Sequence, residues 1–577
     1  MQILRRLLEI IDLVINLINL GDQLFLIIVW FIETFSSSPF FRLIEVHWSA
    51  IPTDTRIILS ILLLGVNLIS GMLLAPYAFN YFFLSLLAEN WKAPPKPEDF
   101  SSFPRVTVQV PTYNESLVIH RIIDHVCALD YPNNLLDIQI LDDSTDKTTQ
   151  IAQEAIKKYV AQGIDIELIH RDNRVGFKAG ALVNGMKTAK GEFIAIFDAD
   201  FMPEPDFLKQ MVPYFYIKGK IGAVQARWAH QNRNWSYITR AFAIGLDGHF
   251  LLEQTGRKAA NCFLTFNGTA GIWRRECIED AGGWSHDTLV EDLDLSYRAQ
   301  MRGWEIVFLK DVLVPQEIPI TMPSIKVQQR RWSTGGMQCF RKTFLTMLRC
   351  KSMSLKAKIE SSLHLSAYLI YPILIINMLS ACMLIILEME LWVATPVFFT
   401  VYSFLTVASV VAWLAYIIML RREKFSLKKE GKYIIVLGLL GFGMTLSLAF
   451  ASIKGFFRKG GTFERTPKFD VISANQAKQK EKASPSSKKL PSKIRSTPPK
   501  KRLTFPYRIK VGFGKVIFEL LFVSFILITI VKAMQSLQYT FATIAFFLIF
   551  STGIFLYVYS MLRGMRSIKR YYSVQAS

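Results

Sequence analysis

The sequence has six cysteines but no C-x-x-C pair, so it lacks the spacing typical of a zinc site or a disulfide framework. We therefore expect the thiols to stay reduced on the cytoplasmic side of a membrane. The N-terminus, MQILRR followed by an apolar run, also lacks an A-x-A cleavage pattern, and Glu9, Asp12, Asn16 and Asn19 interrupt the run. We expect a weak anchor or an interfacial helix there rather than a signal peptide.

No long apolar run occurs between Trp91 and about Thr346, although the chain as a whole is 51% hydrophobic. The formal net charge of +21 is compatible with nucleic-acid binding or with cytoplasmic loops of a membrane protein. The high apolar content favours the membrane protein, because Lys and Arg concentrate in cytoplasmic loops. We therefore predict a lipid bilayer and no nucleic acid among the partners, and the oligomeric state stays open.

Apolar stretches long enough to cross a bilayer predict about six spans. Five begin near Ile57, Leu363, Val393, Val516 and Phe541, and Leu7–Phe35 is a poorer sixth. The stretch from Tyr433 to Ala451 is equally apolar but has Lys and Arg on both sides, which a single crossing cannot satisfy. We expect this stretch to be interfacial or re-entrant, accompanied by further interfacial helices.

The remaining part of the chain alternates short β-like runs with helical patterns, which predicts an α/β domain with a mostly parallel sheet. The runs are RVTVQV, DIQIL, IDIELIH, EFIAIF, GAVQAR and WEIVFL. The expected domains are an N-terminal transmembrane region (1–90), the α/β domain (100–345), an interfacial helix with a transmembrane pair and the segment above (346–453), a cytoplasmic loop with a basic linker (454–512), and a C-terminal transmembrane pair (513–577).

Two acidic clusters follow predicted strands, where ligands bind in open α/β sheets. DDST contains Asp142 and Asp143, and FDADF contains Asp198 and Asp200. In extended chain, residues i and i+2 point the same way, so Asp198 and Asp200 can present oxygens to one Mg²⁺ or Mn²⁺. An acidic turn after a strand is the simpler alternative.

Three further residues have both an ordinary and a functional interpretation. Asp292, beside Glu291 in VEDLD, is either a carboxylate at a helix start or a general base for a substrate hydroxyl. Lys178, between two glycines at another helix start, is either an exposed lysine or part of a phosphate site. QQRRW, residues 328–332, is either a membrane-edge anchor or a site that binds an anion and a flat ligand.

The order of these motifs is more specific than any one of them. They are PTYNES (111–116), DDST (142–145), GFKAG (176–180), FDADF (197–201), FNGTAG (266–271), VED (290–292), QQRRW (328–332) and GTFERTPKF (461–469). In this order they resemble the membrane-bound inverting glycosyltransferases of family 2, which include the cellulose synthases and the cellulose-synthase-like mannan and glucan synthases. The resemblance covers roughly Pro104–Leu345 and the last motif. It implies a Rossmann-like GT-A fold and a nucleotide-sugar donor.

The resemblance implies roles for the residues at matching motif positions. Asp292 resembles the base that deprotonates the acceptor hydroxyl, with Glu291 beside it. The implied donor-binding residues are Thr112, Asn114, Glu115, Asp142 (on the nucleoside base), Lys178, Asp198, Gln328 and Arg331. The implied metal ligands are Asp198 and Asp200. The implied acceptor-binding residues are Trp332, Asn267, Gly268 and Thr269, and Phe463, Thr466 and Lys468 match the F-x-x-T-x-K gating loop that closes over bound nucleotide.

The family predicts inverting transfer of a hexose, from UDP-glucose or GDP-mannose, to a growing β-linked polysaccharide that is also passed across the membrane. The alternatives are single-sugar transfer to a membrane lipid and a transporter with a degenerate enzyme domain. The acceptor is then a polysaccharide or a glycolipid. We expect a multi-pass protein of a cell inner membrane or Golgi-like membrane, with its catalytic domain in the cytoplasm.

Overall fold

The computed structural model describes residues 51–89, 91–95, 97, 103–387, 410–466, 468, 513–535 and 548–563. Within these residues, an α/β domain is followed and preceded by long apolar helices. The predicted N-terminal anchor, the span near Val393 and most of the basic linker lie outside the described residues.

The domain is built on one seven-stranded sheet. Its strands are β1 (Val106–Thr112), β2 (Leu136–Asp142), β3 (Ile166–His170), β4 (Phe193–Ile196), β5 (Ile221–His230), β6 (Gly271–Arg274) and β7 (Glu305–Gln316). The order is β3-β2-β1-β4-β6-β5-β7, and β6 is antiparallel to both of its neighbours while the other pairs are parallel. This mixed, mostly parallel sheet confirms the predicted α/β GT-A class.

Helices cover both faces of the sheet and continue into the apolar region. They are α1 (Thr53–Leu87), α2 (Ile119–Cys127), α3 (Thr148–Val160), α4 (Phe177–Met186), α5 (Phe207–Met211), α6 (Tyr237–Gly248), α7 (Thr255–Ala259), α8 (Arg275–Asp280), α9 (Glu291–Met301), α10 (Met322–Arg349), α11 (Leu355–Leu365), α12 (Ile370–Ile386), α13 (Leu427–Phe457) and α14 (Phe513–Gln535). A π-helical segment, His249–Gln254, joins α6 to α7. Helical residues also occur at 410–422 and 548–563.

All six predicted β-like runs form strands, because each alternates or clusters β-branched residues that become buried in the sheet. The sequence did not reveal β6, whose four residues follow the glycine-containing loop FNGTA. Its Trp273 is fully buried between the sheet and the helices. Four residues are too few for a periodic signal, so only pairing with β4 and β5 defines this strand.

Three described helices are long and apolar enough to cross a bilayer, namely Thr53–Leu87, Ala367–Ile386 and Leu427–Phe457. Two shorter apolar helical stretches are Ile517–Ile530 and Leu548–Arg563. These positions match the predicted apolar segments near Ile57, Leu363 and Val516. The count of six spans stays a prediction, since 1–50, 388–409 and 536–547 lie outside the described residues.

Helix α13 includes the stretch that we expected to be interfacial or re-entrant. Its 31 residues form one uninterrupted helix about 46 Å long, which does not match a re-entrant segment that turns back. Near its first turn Glu430 accepts a hydrogen bond from Arg240 of the α/β domain, at 2.7 Å. Just beyond its other end the backbone N–H of Gly460 donates to the carbonyl of Asp287, also in the domain, at 2.9 Å. Contacts to the same domain at both ends favour the interfacial prediction, because a crossing helix carries one end away.

Candidate active site

A cavity of about 670 Å³ lies at the carboxyl ends of the central strands and continues between the apolar helices. Residues from the sheet end of the cavity include Thr112, Glu115, Lys178, Asp198, Asp200, Gly268, Glu291 and Asp292. Residues from the helical end include Tyr77, Tyr81, Trp332, Tyr368, Tyr371, Tyr416, Leu440 and Met444. Parts of all eight motifs therefore border one space. DDST and FDADF contribute carboxylates to it from the loops after β2 and β4.

The two carboxylates of FDADF each contact a lysine. Asp198 Oδ1 accepts from Lys178 Nζ at 2.6 Å, and Asp200 Oδ2 accepts from Lys468 Nζ at 2.5 Å. Burial lowers the pKa of Lys178, but the charges of Asp198 and Glu291 outweigh it and the pKa is raised. Lys178 therefore stays charged and neutralises the acidic end of the cavity.

Asp292 lies at the start of α9, with Oδ1 accepting from the Leu293 backbone N–H at 2.9 Å. Burial, followed by the like charge of Glu291, raises the pKa of Asp292 to about 7. The carboxyl group is thus poised to exchange a proton near neutral pH, as a general base requires. A carboxylate at a helix start accounts for the hydrogen bond to Leu293, whereas the raised pKa of Asp292 favours the general base.

Gly268 brings the FNGTAG loop against that carboxylate. Its φ of +75° suits glycine, and a Cβ there would lie 2.9 Å from Asp292 Oδ2. Its carbonyl accepts from Lys178 Nζ at 2.8 Å, while the neighbouring Thr269 Oγ1 accepts from the Asp198 backbone N–H at 2.9 Å. Gly268 and Thr269 therefore hold the base, the lysine and the D-A-D loop together.

QQRRW lies on α10, and its predicted site residues border the cavity. Gln328 Oε1 and Arg331 Nε are buried and have no hydrogen-bond partner among the described residues. The Arg331 guanidinium lies 4.2 Å from the centre of the Phe463 ring. Trp332 packs against the apolar cluster of the helices. The unpaired Arg331 N–H is a donor that the oxygen of an anionic ligand would satisfy, whereas Gln328 Oε1 needs a donor such as a hydroxyl group.

Asp142 is a predicted donor residue that does not border the cavity. It is fully buried, and its Oδ2 accepts from Thr149 Oγ1 at 2.6 Å and lies 2.8 Å from His170 Nδ1. The next residue, Asp143, lines the cavity and pairs with Arg171. The geometry therefore favours Asp143 as the carboxylate beside the cavity, while Asp142 stabilises the loop after β2. The role of Asp142 on the nucleoside base stays a prediction.

The PTYNES loop contributes differently at each position. Thr112 and Glu115 border the cavity. Asn114, with φ +55°, accepts from the Thr145 backbone N–H at 2.8 Å through its side chain. This bond joins the loops after β1 and β2, so Asn114 positions the donor end rather than lining it.

Four described residues of the motif GTFERTPKF border the cavity, namely Phe463, Arg465, Thr466 and Lys468. Phe463 stacks on Phe177 with ring centres 6.0 Å apart, and Thr466 is buried. Arg465, which the sequence analysis did not single out, pairs with Glu115 at 2.8 and 2.9 Å. Burial raises the pKa of Glu115 to about 6, although the charge of Arg465 opposes this effect. The sequence does contain a clue to Arg465, because it is the arginine of F-x-R-T, one position before Thr466.

The sequence also did not indicate a cation–π contact at the end of the cavity proposed for the donor. The Arg174 guanidinium lies 3.4 Å from the centre of the Tyr113 ring, and both residues border the cavity. Arg174 begins the stretch RVGFKAGAL, in which we had considered only Lys178. A flat nucleobase is the type of ligand that such a cation and ring accommodate.

The acceptor loop contacts a second group of charged residues. Asn267 Oδ1 lies 2.7 Å from His249 Nε2, on the π-helical segment. Beyond it, Glu253 and Arg257 border the same cavity and pair at 2.7 Å. No motif indicated these three residues, because they lie on the buried side of helical segments without a recognisable sequence pattern.

No group of three or more His, Cys, Asp or Glu side chains is arranged to hold a metal ion within the described ranges. The D-A-D pair supplies two hard oxygen donors, one of whose carboxylates is more than one-third exposed towards the cavity. These residues fit a Mg²⁺ or Mn²⁺ ion only if a ligand such as a diphosphate supplies further oxygens.

Comparison with known proteins agrees with this arrangement. Residues 104–335 match the family model described as glycosyltransferase like family 2. The glucomannan 4-beta-mannosyltransferase 2 of Arabidopsis thaliana is 40% identical over 307 residues, which is 51% of this chain and 58% of the relative. The glucomannan 4-beta-mannosyltransferase 1 of Oryza sativa subsp. japonica is 40% identical over 279 residues, which is 47% and 54%.

The matched region thus spans a little over half the length of these relatives. Among solved structures, the mannosyltransferase PcManGT from Pyrobaculum calidifontis, in complex with GDP-Man and Mn²⁺, is similar with a TM-score of 0.46 and 21% identity, covering 68% of this chain and 99% of that one. By sequence, residues 104–335 of this chain are similar to family 2 glycosyltransferases.

Proposed function

We propose that this chain transfers a hexose from a nucleotide sugar to the end of a growing β-linked polysaccharide, with inversion, and passes the polymer across a membrane. The observation that carries the proposal is the continuity of the cavity. One space connects the paired carboxylates at the sheet with tyrosines of helices that are apolar enough to span a bilayer.

Asp292 is the proposed base. Its partly buried carboxylate, with a pKa of about 7, accepts the proton of the acceptor hydroxyl as that oxygen attacks the anomeric carbon. Glu291 keeps the pKa of Asp292 high, and Lys178 limits the combined negative charge. A single displacement with one base inverts the anomeric centre, so an α-linked donor gives a β-linkage.

The proposed donor end is cationic where the diphosphate leaves. Arg331 and Lys178 lie near the carboxylates that border the cavity, and Gln328 adds an amide. These groups stabilise the negative charge that develops on the leaving group. Asp198 and Asp200 would hold a divalent cation, which would supply further stabilisation of the diphosphate. The donor's phosphate oxygens would complete the coordination of that ion.

The proposed surroundings of the nucleoside are Thr112, Glu115, Asp143 and Arg174. The segment with Phe463, Thr466 and Lys468 covers the donor, as a gating loop would. On the acceptor side, Trp332 is the proposed stacking surface for the terminal sugar, and Asn267 lies beside it. These assignments rest on motif positions together with the shared cavity.

The names of the relatives favour mannose. Two of them are called glucomannan 4-beta-mannosyltransferases, and the solved neighbour holds GDP-Man. We propose GDP-mannose as the donor, with UDP-glucose as the second choice, and a β-1,4-linked glycan as the product.

We further propose that the domain faces the cytoplasm of a cell inner membrane or a Golgi-like membrane. Helix α13 then lies in the interface, with both ends against the domain. In this arrangement Trp332 is at the mouth of the helical part of the cavity, where a growing chain would enter.

A panel of radiolabelled nucleotide sugars, including GDP-mannose and UDP-glucose, tests the proposal with the purified full chain in lipid vesicles. We expect one of these donors to supply its hexose repeatedly to a β-linked polymer, which linkage analysis identifies. A product with one sugar on a lipid would replace the polysaccharide proposal with lipid glycosylation. Absence of transfer from every donor would leave only the transporter alternative.

A further inference from the structure

The geometry points to a second sugar-binding subsite in the wall of the cavity, formed by His249, Glu253 and Arg257, which holds the hydroxyl groups of an acceptor hexose unit behind the terminal one. This inference rests on the proposed function, because it assumes a neutral glycan acceptor. It assigns residues that lie outside the donor site and outside the base.

The three side chains form a chain of polar contacts along the cavity wall. Glu253 Oε2 accepts from Arg257 Nη2 at 2.7 Å and lies 3.6 Å from His249 Nδ1. The other ring nitrogen of His249 is 2.7 Å from Asn267 Oδ1, in the loop beside the proposed acceptor site. The cluster therefore continues directly from the terminal-sugar site along the cavity.

The cluster has unused hydrogen-bonding capacity. Arg257 is 2% exposed and borders the cavity, yet its Nη1 has no hydrogen-bond partner among the described residues. A buried guanidinium with an unpaired N–H at a cavity wall needs an acceptor there. A sugar hydroxyl oxygen provides one, while the same hydroxyl can donate to a carboxylate.

The carboxylate of Glu253 stays charged in this environment. Burial alone would raise the pKa of Glu253. The charges of Arg257 and His249 lower it by more than burial raises it, so the pKa of Glu253 lies well below its ordinary value. Hydrogen bonds that involve a charged partner are roughly twice as strong as neutral ones. A neutral hexose therefore gains orientation from this cluster without having to supply a charge.

The backbone supports a local functional role. His249–Gln254 is π-helical, and such segments are rare and concentrate at functional sites. On its far side Arg257 Nε donates to Glu360 Oε1 at 2.6 Å, which anchors the cluster to α11. Glu360 does not border the main cavity. The two glutamates thus contact the same arginine from the cavity side and from the protein side.

This arrangement provides a matched pair of variants. Glu253→Gln and Glu360→Gln each remove one negative charge next to Arg257, but only the first changes a group that borders the cavity of the candidate active site. With GDP-mannose as donor, the acceptors are mannose, β-1,4-mannobiose and β-1,4-mannotetraose. We expect Glu253→Gln to raise KM for mannobiose and mannotetraose about 10-fold, with mannose and donor KM unchanged.

We expect Glu360→Gln to leave all these KM values within about 2-fold of the wild type. Equal increases in both variants would show that the cluster is only structural and would overturn the inference, as would an unchanged KM ratio between mannobiose and mannose in Glu253→Gln. If Glu253→Gln does not fold, His249→Gln takes its place, with the same expected dependence on acceptor length.

Direct binding separates this inference from the proposed function. If the wild type transfers no hexose, the proposed function fails, and binding of mannotetraose and cellotetraose is then measured by calorimetry. Binding that weakens in Glu253→Gln and not in Glu360→Gln supports the subsite. No binding to the wild type overturns it.

Discussion

The two ends of the cavity differ in the residues and structural elements that form them. The sheet end consists of loops after strands, where each carboxylate of FDADF contacts a lysine. The helical end consists of tyrosines and apolar residues from helices far apart in the sequence, with one charged cluster around Arg257. An end that neutralises charge suits a diphosphate, whereas an end with aromatic rings and hydroxyl partners suits a neutral glycan.

Because of this difference, we expect the two ends to respond differently to substitution. Changes at the sheet end alter charge at the reacting centre and act on the chemical step or on donor retention. Changes at the helical end alter stacking and hydrogen bonds to the acceptor, so they act on acceptor KM. Four variants separate the two ends, beginning with the largest expected effect.

Asp292→Asn removes the proposed base while preserving its size. We expect the transfer rate to fall by roughly 10³-fold, because an amide cannot accept the hydroxyl proton, with donor affinity near that of the wild type. Single-turnover transfer and nucleotide binding are measured on the same preparation. Asp172→Asn, at a fully exposed carboxylate, is the control. Loss of nucleotide binding in Asp292→Asn would contradict the assigned role.

Trp332→Ala removes the proposed stacking surface at the junction of the two ends. We expect acceptor efficiency to fall roughly 30-fold, since burial and stacking of an indole on a sugar contribute about 2 kcal/mol. Donor hydrolysis without acceptor is expected to stay unchanged. Elongation at the wild-type rate would refute the stacking role.

Arg465→Gln breaks the ion pair that holds the segment GTFERTPKF (461–469) on Glu115. We expect the nucleoside diphosphate to dissociate about 10-fold faster, because the segment loses its charged contact at the donor end. Stopped-flow release of a labelled nucleotide measures this rate. Lys459→Gln, at an exposed cation two residues before that segment, is the control. Identical release from both variants would leave Arg465 without a role in closing the site.

Glu291→Gln gives the smallest expected effect, a shift of the pH profile. The pKa of Asp292 is raised to about 7, and only its deprotonated form accepts a proton, so kcat/KM falls as the pH decreases through 7. Removing the like charge of Glu291 lowers that pKa, so the acid limb moves to lower pH. The exposed Glu276→Gln serves as the comparison. An unchanged limb would mean that another group controls the profile.

The sequence predicted the two ends of the cavity to different extents. Asp198, Asp200 and Asp292 were identifiable because short motifs follow strands or begin helices, where side-chain direction is predictable. The choice between Asp142 and Asp143 was not, because both carboxylates follow β2 and only the packed loop decides which one is buried. Position within a motif therefore predicted the region but not the side chain.

At the helical end, prediction failed for a different physical reason. His249, Glu253 and Arg257 contact Asn267 and Glu360 only after α6, the π-helical segment and α11 have packed. The strand β6 is a similar case, because pairing with its neighbours defines its four residues. The apolar stretch Tyr433–Ala451 was recognisable in the sequence, but the 31-residue length of α13 and its contacts with the domain at both ends depend on tertiary packing.

The central claim is that one cavity connects donor chemistry to a glycan that leaves through the membrane. Its most direct test uses sealed vesicles with the domain facing outward, supplied with radiolabelled GDP-mannose. The account predicts a long β-linked polymer that accumulates inside the vesicles and is protected from added β-mannanase until detergent is present. A product that is short, or that stays fully accessible to the enzyme outside, would contradict it.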